Sequence, residues 1–186
     1  EPDRLVQLWH TPPQKQFPGV TRFALSAANY LDWQAQSKSF EHLALYSWFN
    51  ANLTGSDSPE RIQGFAVTTN FFDALGMKPI MGRNFLPDEN QSGKDVVIIS
   101  HSLWQRRFGG DANILNKTIT VNGYVCSIVG VMPEHFNFPK GGELYAMMET
   151  PPELVKNRTM HGYYVIGRLK PGVSLKSSQA EIDTIN

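Results

Sequence analysis

"VVIISHSLWQRRFGGD", residues 96–111, decides how this chain folds. Four apolar residues without a polar alternation, Val96 to Ile99, read as a short strand buried on both faces. Ser100 follows at once, and a serine in that place suits a helix N-cap. Leu103, Trp104, Arg107 and Phe108 then fall on one helical stripe, with the alkyl stem of Arg107 lying along it. Gly109 or Gly110 supplies the left-handed residue that ends the helix. The stretch is therefore a strand, a cap, a short helix and a stop. Trp104 is expected in the core and His101 on the surface of the first turn. Only His101 and Arg106 have no structural task in this reading.

The same logic extends outward. Downstream, "KTITVNGYVCSIVGVM" predicts a hairpin, because Asn122-Gly123 suits a type I′ turn with both residues at positive φ. That turn sets Val121 opposite Tyr124 and Ile119 opposite Cys126, so Cys126 shares a face with Ile119, Val121 and Ile128. "HFNFPKGG" is a loop, "ELYAMM" a short strand and "GYYVIGRL" another. Lys170-Pro171-Gly172-Val173 is a type II turn. Ser174 caps a last helix with Leu175, Ile182 and Ile185 on one side. Upstream, "RLVQLW" alternates as a strand does, and "TPPQKQFPG" is a loop. Ser26 caps a helix whose apolar face runs through Ala27, Tyr30, Leu31 and Ala35. "FEHLALYSWFNANLTG" and "RIQGFAVTT" read as strands. Asn70 caps "FFDAL", Asp73 sits near the positive helix end, and Gly76 terminates it. "LPDENQSGKD" is a polar loop. Strands interrupted by short helices make an α+β fold.

Composition limits the chemistry. The 186 residues carry 17 basic and 17 acidic side chains, a formal charge of zero that argues against a general binder of nucleic acid or anionic membrane. No apolar run approaches the roughly 20 residues of a membrane helix. The first residues, Glu1-Pro2, and a helix still running at Asn186 suggest a segment cut from a longer chain. Cys126 is the single cysteine. It forms no intrachain disulfide and belongs to no Cys-x-x-Cys motif; it reads as a small buried apolar residue.

No stretch of the sequence carries the motif of a known catalytic or metal site. Ser100-His101-Ser102 lacks the G-x-S-x-G elbow, and neighbours on a helix point apart. His10, His42, His101, His135 and His161 form no H-x-x-x-H pair, and "PDEN" lacks the spacing of a calcium loop. No P-loop or G-x-G-x-x-G is present. Arg106-Arg107 reads as solvated charge in the last helical turn. Trp33, Trp48 and Trp104 suit core packing better than a carbohydrate cleft. Asn52, Asn116 and Asn157 open N-x-T sequons, which matter only for a eukaryotic source. The expectation is no catalytic residue, no cofactor site and no metal site.

Six stretches in order carry a resemblance: "EPDRLVQLW", "NYLDWQAQSKSFEHLALY", "TTNFFDALGMKPIMGRNFLPDE", "VVIISHSLWQRRFGGD", "KTITVNGYVCSIVGVMPEHFNFP" and "VIGRLKPGVSLKSSQAEI". Together they resemble the MacB-type periplasmic core domain of ABC-transporter permeases, most closely the duplicated orphan permeases of acidobacteria, a MacB/FtsX-like group. The resemblance implies a domain between the first and second membrane helices of a permease, on the periplasmic side of the bacterial inner membrane. It implies a Porter-like subdomain, residues 1–69 and 160–186, and an inserted smaller one, residues 70–159. It also implies a non-enzymatic role, coupling ATP-driven helix motion to efflux or release. The partners would be the permease's own membrane helices, a cytoplasmic ABC ATPase acting indirectly, a periplasmic adaptor and a second permease copy, with no nucleic acid. Set against it are a periplasmic ligand-binding module for a peptide, lipid or antibiotic, and an uncharacterised hydrolase.

Overall fold

The computed structural model describes residues 2–12, 15–55, 58–89, 95–148 and 157–185. It is an α+β protein with nine strands and four short helices among the described residues. The chain divides into two compact units, Glu1–Ser47 with Asp73–Leu75 and Thr150–Asn186, and Trp48–Phe72 with Gly76–Glu149. Residues 48–69, grouped with the Porter-like part in the sequence reading, fall in the second unit.

In the first unit, β1 (Leu5–Leu8) pairs antiparallel with β9 (Tyr164–Leu169), and β9 pairs antiparallel with the first half of β2 (Phe40–Thr54). Helices α1 (Ala27–Gln36) and α4 (Leu175–Ile185) lie against each other in this unit. Ser26 caps α1 as expected, its hydroxyl accepting from the Asn29 N–H at 3.2 Å. The buried face of α1 is Ala27, Ala28, Tyr30 and Trp33. Ala35 is exposed, which corrects the expected stripe: Trp33 takes the core position, and the stripe ends there. In α4 the buried residues are Ser178 and Ile182, while Leu175 is 63% exposed. The Ser174 cap and the turn before it stand: the Ser177 N–H donates to Ser174 Oγ at 3.1 Å, and the Val173 N–H to the Lys170 carbonyl at 3.2 Å.

In the second unit, β5 (Val96–Ile99) is central. It pairs in parallel with β7 (Tyr124–Val131) and antiparallel with β8 (Leu144–Met147), which itself runs parallel to β3 (Glu60–Val67). A strand flanked on both sides and covered on both faces has no wet side, hence its unbroken apolar run. β6 (Thr118–Val121) forms the hairpin with β7 in the predicted register, Val121 opposite Tyr124 and Ile119 opposite Cys126. Asn122 and Gly123 have φ of 51° and 90°. Ile119, Val121, Cys126 and Ile128 are all buried in one cluster with Val97, Ile99 and Leu103. A two-residue strand, β4 (Met81–Gly82), pairs with β7 and was not foreseen. Helix α2 (Phe71–Leu75) is where "FFDAL" placed it; its two phenylalanines are fully buried, and Phe72 packs on Phe85, Phe136 and Tyr145.

Helix α3 (His101–Phe108) begins and ends as the opening stretch requires. Ser100 Oγ accepts from the Leu103 N–H at 3.1 Å, Gly109 is left-handed at φ 60°, and the Gly110 N–H closes on the Trp104 carbonyl at 3.3 Å. The expected anchor is corrected. Leu103 is the fully buried residue, whereas Trp104 is half-buried against the cluster, its indole N–H donating to the Asp111 carbonyl at 3.0 Å.

Candidate functional site

The residues with chemical potential are largely engaged by their own neighbours. In the second unit, Ser100 Oγ is committed to its cap and lies 2.9 Å from Ser102 Oγ. The His101 ring stands edge-on to Trp104, with centroids 5.3 Å apart. A recess of about 350 Å³ is lined by Ser100, His101, Ser102, Glu134 and Glu143. A nucleophile needs a base within hydrogen-bond reach that a third group orients; here the serines hold each other and the cap, and the imidazole packs on a ring.

Arg107 corrects the sequence reading, since its side chain is only 7% exposed, whereas Arg106 is exposed as expected but is paired. Arg106 Nη2 lies 2.6 Å from Glu60 Oε1 and 2.8 Å from Glu143 Oε2. Arg107 Nη1 donates to the Ser58 carbonyl at 3.2 Å and lies 3.5 Å from Glu60 Oε2. Two acidic partners neutralise what looked like a basic pair, and they fasten α3 to β3 and to the start of β8. Arg106, the residue without a task in sequence, is a structural tie.

Trp33 is core, but Trp48 is 56% exposed and Trp104 half-buried, so the expectation of core packing holds for the first alone. The Asn52 side chain donates to Asn122 Oδ1 at 2.9 Å, tying β2 to the hairpin tip. Asn157 Oδ1 accepts from the Thr159 and Met160 N–H groups, which makes that sequon a turn. Cys126 is buried; desolvation, and then the charge of Asp95, push its thiol up to about 11.

One grouping could not be read from sequence. In the first unit, His10 and His161, 151 positions apart, bring their rings to 5.8 Å. They line a cavity of about 290 Å³ with Asn29, Asp32, Trp33 and Arg158. His161 Nδ1 lies 2.9 Å from the Ala24 carbonyl, an acceptor only, so this nitrogen carries the proton. Arg158 is spent on Asp32 at 2.7 Å and Asn29 at 3.1 Å. His10 Nδ1 is buried without a hydrogen-bond partner. No group of three metal-binding side chains occurs among the described residues. Two histidines without a carboxylate in position are short of a zinc site.

These groups make stability pH-dependent in two windows. Burial, and then the neighbouring His161, lower the pKa of His10 below 6.5. The unfolded chain therefore takes that proton first, so this contribution is complete above pH 6.5 and is lost as pH falls below it. At the end of α1, Glu181 accepts from Ser37 Oγ and from the Lys38 and Ser39 N–H groups, at 2.6, 2.8 and 3.0 Å. Desolvation opposes its charge, but these hydrogen bonds outweigh it and bring the carboxyl down to about 2 from 4.5. Its contribution is present above pH 4.5 and is lost on the way to pH 2. Thermal melting should show the first decline starting near pH 6.5, absent in His10→Asn but kept in Glu181→Gln. Superimposable wild-type and His10→Asn curves down to about pH 5 would remove His10 from this account.

Comparison with known proteins agrees with this picture. A family model described as the MacB-like periplasmic core domain matches residues 2–185. A "probable syringafactin export ATP-binding/permease protein" from Pseudomonas syringae pv. tomato is 27% identical over 123 residues, covering 64% of this chain and 18% of that protein. A "probable export ATP-binding/permease protein MacB" from Pseudomonas entomophila is 26% identical over 128 residues, 67% of this chain and 19% of the relative. The chain thus spans about a fifth of the length of these curated relatives. Among solved structures, the periplasmic region of MacB from Actinobacillus actinomycetemcomitans superimposes with a TM-score of 0.73 at 13% identity, over 98% of this chain and 82% of that one. The extracellular domain of the noncanonic ABC-type transporter YknZ from Gram-positive bacteria gives 0.71 at 16%, over 97% and 91%. At such identities they establish a shared fold.

Proposed function

This chain belongs to the family of MacB-like periplasmic core domains, and from that premise we propose that it works as the extracytoplasmic part of an ABC-transporter permease, transmitting ATP-driven movement of the membrane helices to efflux or release of a substrate. The observation that carries the proposal is the span of the match, residues 2–185, in a chain whose curated relatives are described as export ATP-binding/permease proteins. No helix among the described residues is long and apolar enough to cross a membrane. In this reading the membrane helices belong to other parts of the permease and the ATPase acts from the cytoplasm.

The packing suits a part that passes on displacement. Close-packed interiors have low compressibility and transmit strain. The second unit joins β5, β6, β7 and α3 through one buried cluster, and its chemically capable side chains Arg106, Arg107 and Ser100 are ties and caps. We assign the mechanical bodies as a Porter-like subdomain built on the first compact unit and an inserted subdomain built on the second, which moves residues 48–69 from the first to the second. A periplasmic adaptor and a second permease copy are the partners such bodies would meet.

Placement outside the membrane is tested with the chain's own cysteine chemistry. Cys126 is buried with a raised pKa, and should react slowly with maleimide in the native state. Met160 is 54% exposed, so Met160→Cys adds one reactive thiol. In cells whose outer membrane has been permeabilised, a membrane-impermeant maleimide should label residue 160 of the variant permease, adding to whatever labelling the parent shows. Labelling of Met160→Cys only after the inner membrane is broken would place the domain on the wrong side.

A further inference from the structure

The open edge of β1 carries a groove that the coupling role does not use. Among the described residues β1 pairs with β9 alone, so alternate N–H and C=O groups along Leu5–Leu8 point away from the sheet. Natural edge strands are blunted by being short or by lysine, proline or a bulge. β1 is short at four residues, but "LVQL" has none of the other three within it, and its register to β9 is unbroken over four residue pairs.

Beside this edge runs a cavity of about 190 Å³. Val6 and Leu8 line it from β1, Trp33 and Phe40 close its depth, and Ile182 and Leu175 line it from α4. Leu175 is 63% exposed, an apolar side chain at the groove that the core does not bury. Arg22, also in the lining, holds its guanidinium 5.9 Å from the centre of the Trp9 ring. Arg22 is exposed, and no carboxylate pairs with it among the described residues. The volume falls below the roughly 300–1,000 Å³ of a pocket that engulfs a drug-sized molecule. It is suited to a few aliphatic side chains entering from one side.

An edge with free backbone groups, a narrow apolar trough beside it and a cation in its lining match one chemistry. We propose that β1 takes an extended peptide strand, which hydrogen-bonds to the open edge, sends alternate aliphatic side chains into the trough and sets a carboxylate against Arg22. The main chain supplies affinity, and the alternate side chains supply selectivity, as in other strand additions. Specificity would favour segments that alternate aliphatic and small polar residues and include an acidic one. An acyl chain with an acidic head could fill the trough but would leave the strand edge unpaired.

The test uses the 186-residue chain, ¹⁵N-labelled, and an acetylated hexapeptide of alternating valine and threonine that ends in glutamate. Two N-methylated versions of the peptide block its odd or its even amides, and dodecanoate serves as the acyl probe. Amide shifts should concentrate at residues 5–9, 22 and 182. One methylated isomer should bind at least about tenfold more weakly than the other, since only one set of peptide amides faces β1. Arg22→Glu and Leu175→Glu, both at exposed positions, should each weaken binding about tenfold while the rest of the spectrum stays in place. Three results would overturn the proposal: no shifts at these amides with millimolar peptide, equal binding of the two isomers, or dodecanoate producing the shifts where the peptide does not. The measurement needs no membrane and no ATPase, so its failure would leave the coupling proposal standing.

Discussion

Leu103→Ala is expected to cost about 3–5 kcal/mol of unfolding free energy. Leu103 is fully buried, and the cluster around it holds Val97, Ile99, Val131 and Leu144 from β5, β7 and β8. Truncation there removes apolar surface from the core and leaves a cavity whose walls are strands fixed on both sides. Trp104→Ala should cost less, about 2 kcal/mol, because the ring is half-buried and one hydrogen bond goes with it. His101→Ala should fall within about 0.5 kcal/mol of the parent. Urea unfolding of the three variants checks the order. A larger loss for Trp104→Ala than for Leu103→Ala would mean that α3 presents a different face to the core.

Gly82→Ala should be comparably severe, about 3–5 kcal/mol, for a different reason. Gly82 has φ of 78°, where an L side chain is already strained. A Cβ there would collide with the carbonyl oxygen of Val129 and would lie 2.8 Å from Leu115 Cδ2. The obstacle is backbone, and it is the same carbonyl that accepts the Arg83 N–H at 3.0 Å to hold β4 on β7. Relief therefore requires β4 to leave its place. Gly109→Ala is the control: φ is 60°, but nothing lies within 4 Å of the added carbon, so only the left-handed penalty of about 1–2 kcal/mol remains. Equal destabilisation of the two variants would show that the close approach at Gly82 does not matter.

What was legible in the sequence was local. Ser26, Ser100 and Ser174 each cap the helix expected of them, because an N-cap is decided within three residues. The hairpin register followed from two turn residues, since Asn122-Gly123 admits one pairing. The family, too, was legible in the order of six stretches, and the match over residues 2–185 shows it. Long-range features were not legible. Nothing local shows that Arg106 meets Glu60, 46 positions away, or that His10 comes to His161. β4 is two residues long, too short for any periodicity to report it. Helical spacing also offered more apolar positions than the core could take. In α1 the stripe through Ala35 lost to Trp33, and in α4 Leu175 shares the side of Ile182 but stays exposed.

The central claim, that this domain transmits motion and performs no chemistry of its own, is tested most directly in the intact permease. Substrate export and ATP hydrolysis are measured in parallel, with and without residues 2–185, and the isolated chain is assayed beside them on ester, peptide, glycoside and nucleotide substrates. The account predicts that deletion abolishes export while ATP hydrolysis persists in part, and that the isolated chain turns nothing over. Export at the parental rate without the domain would contradict it, as would turnover by the isolated chain that alanine at a single serine, histidine or aspartate removes.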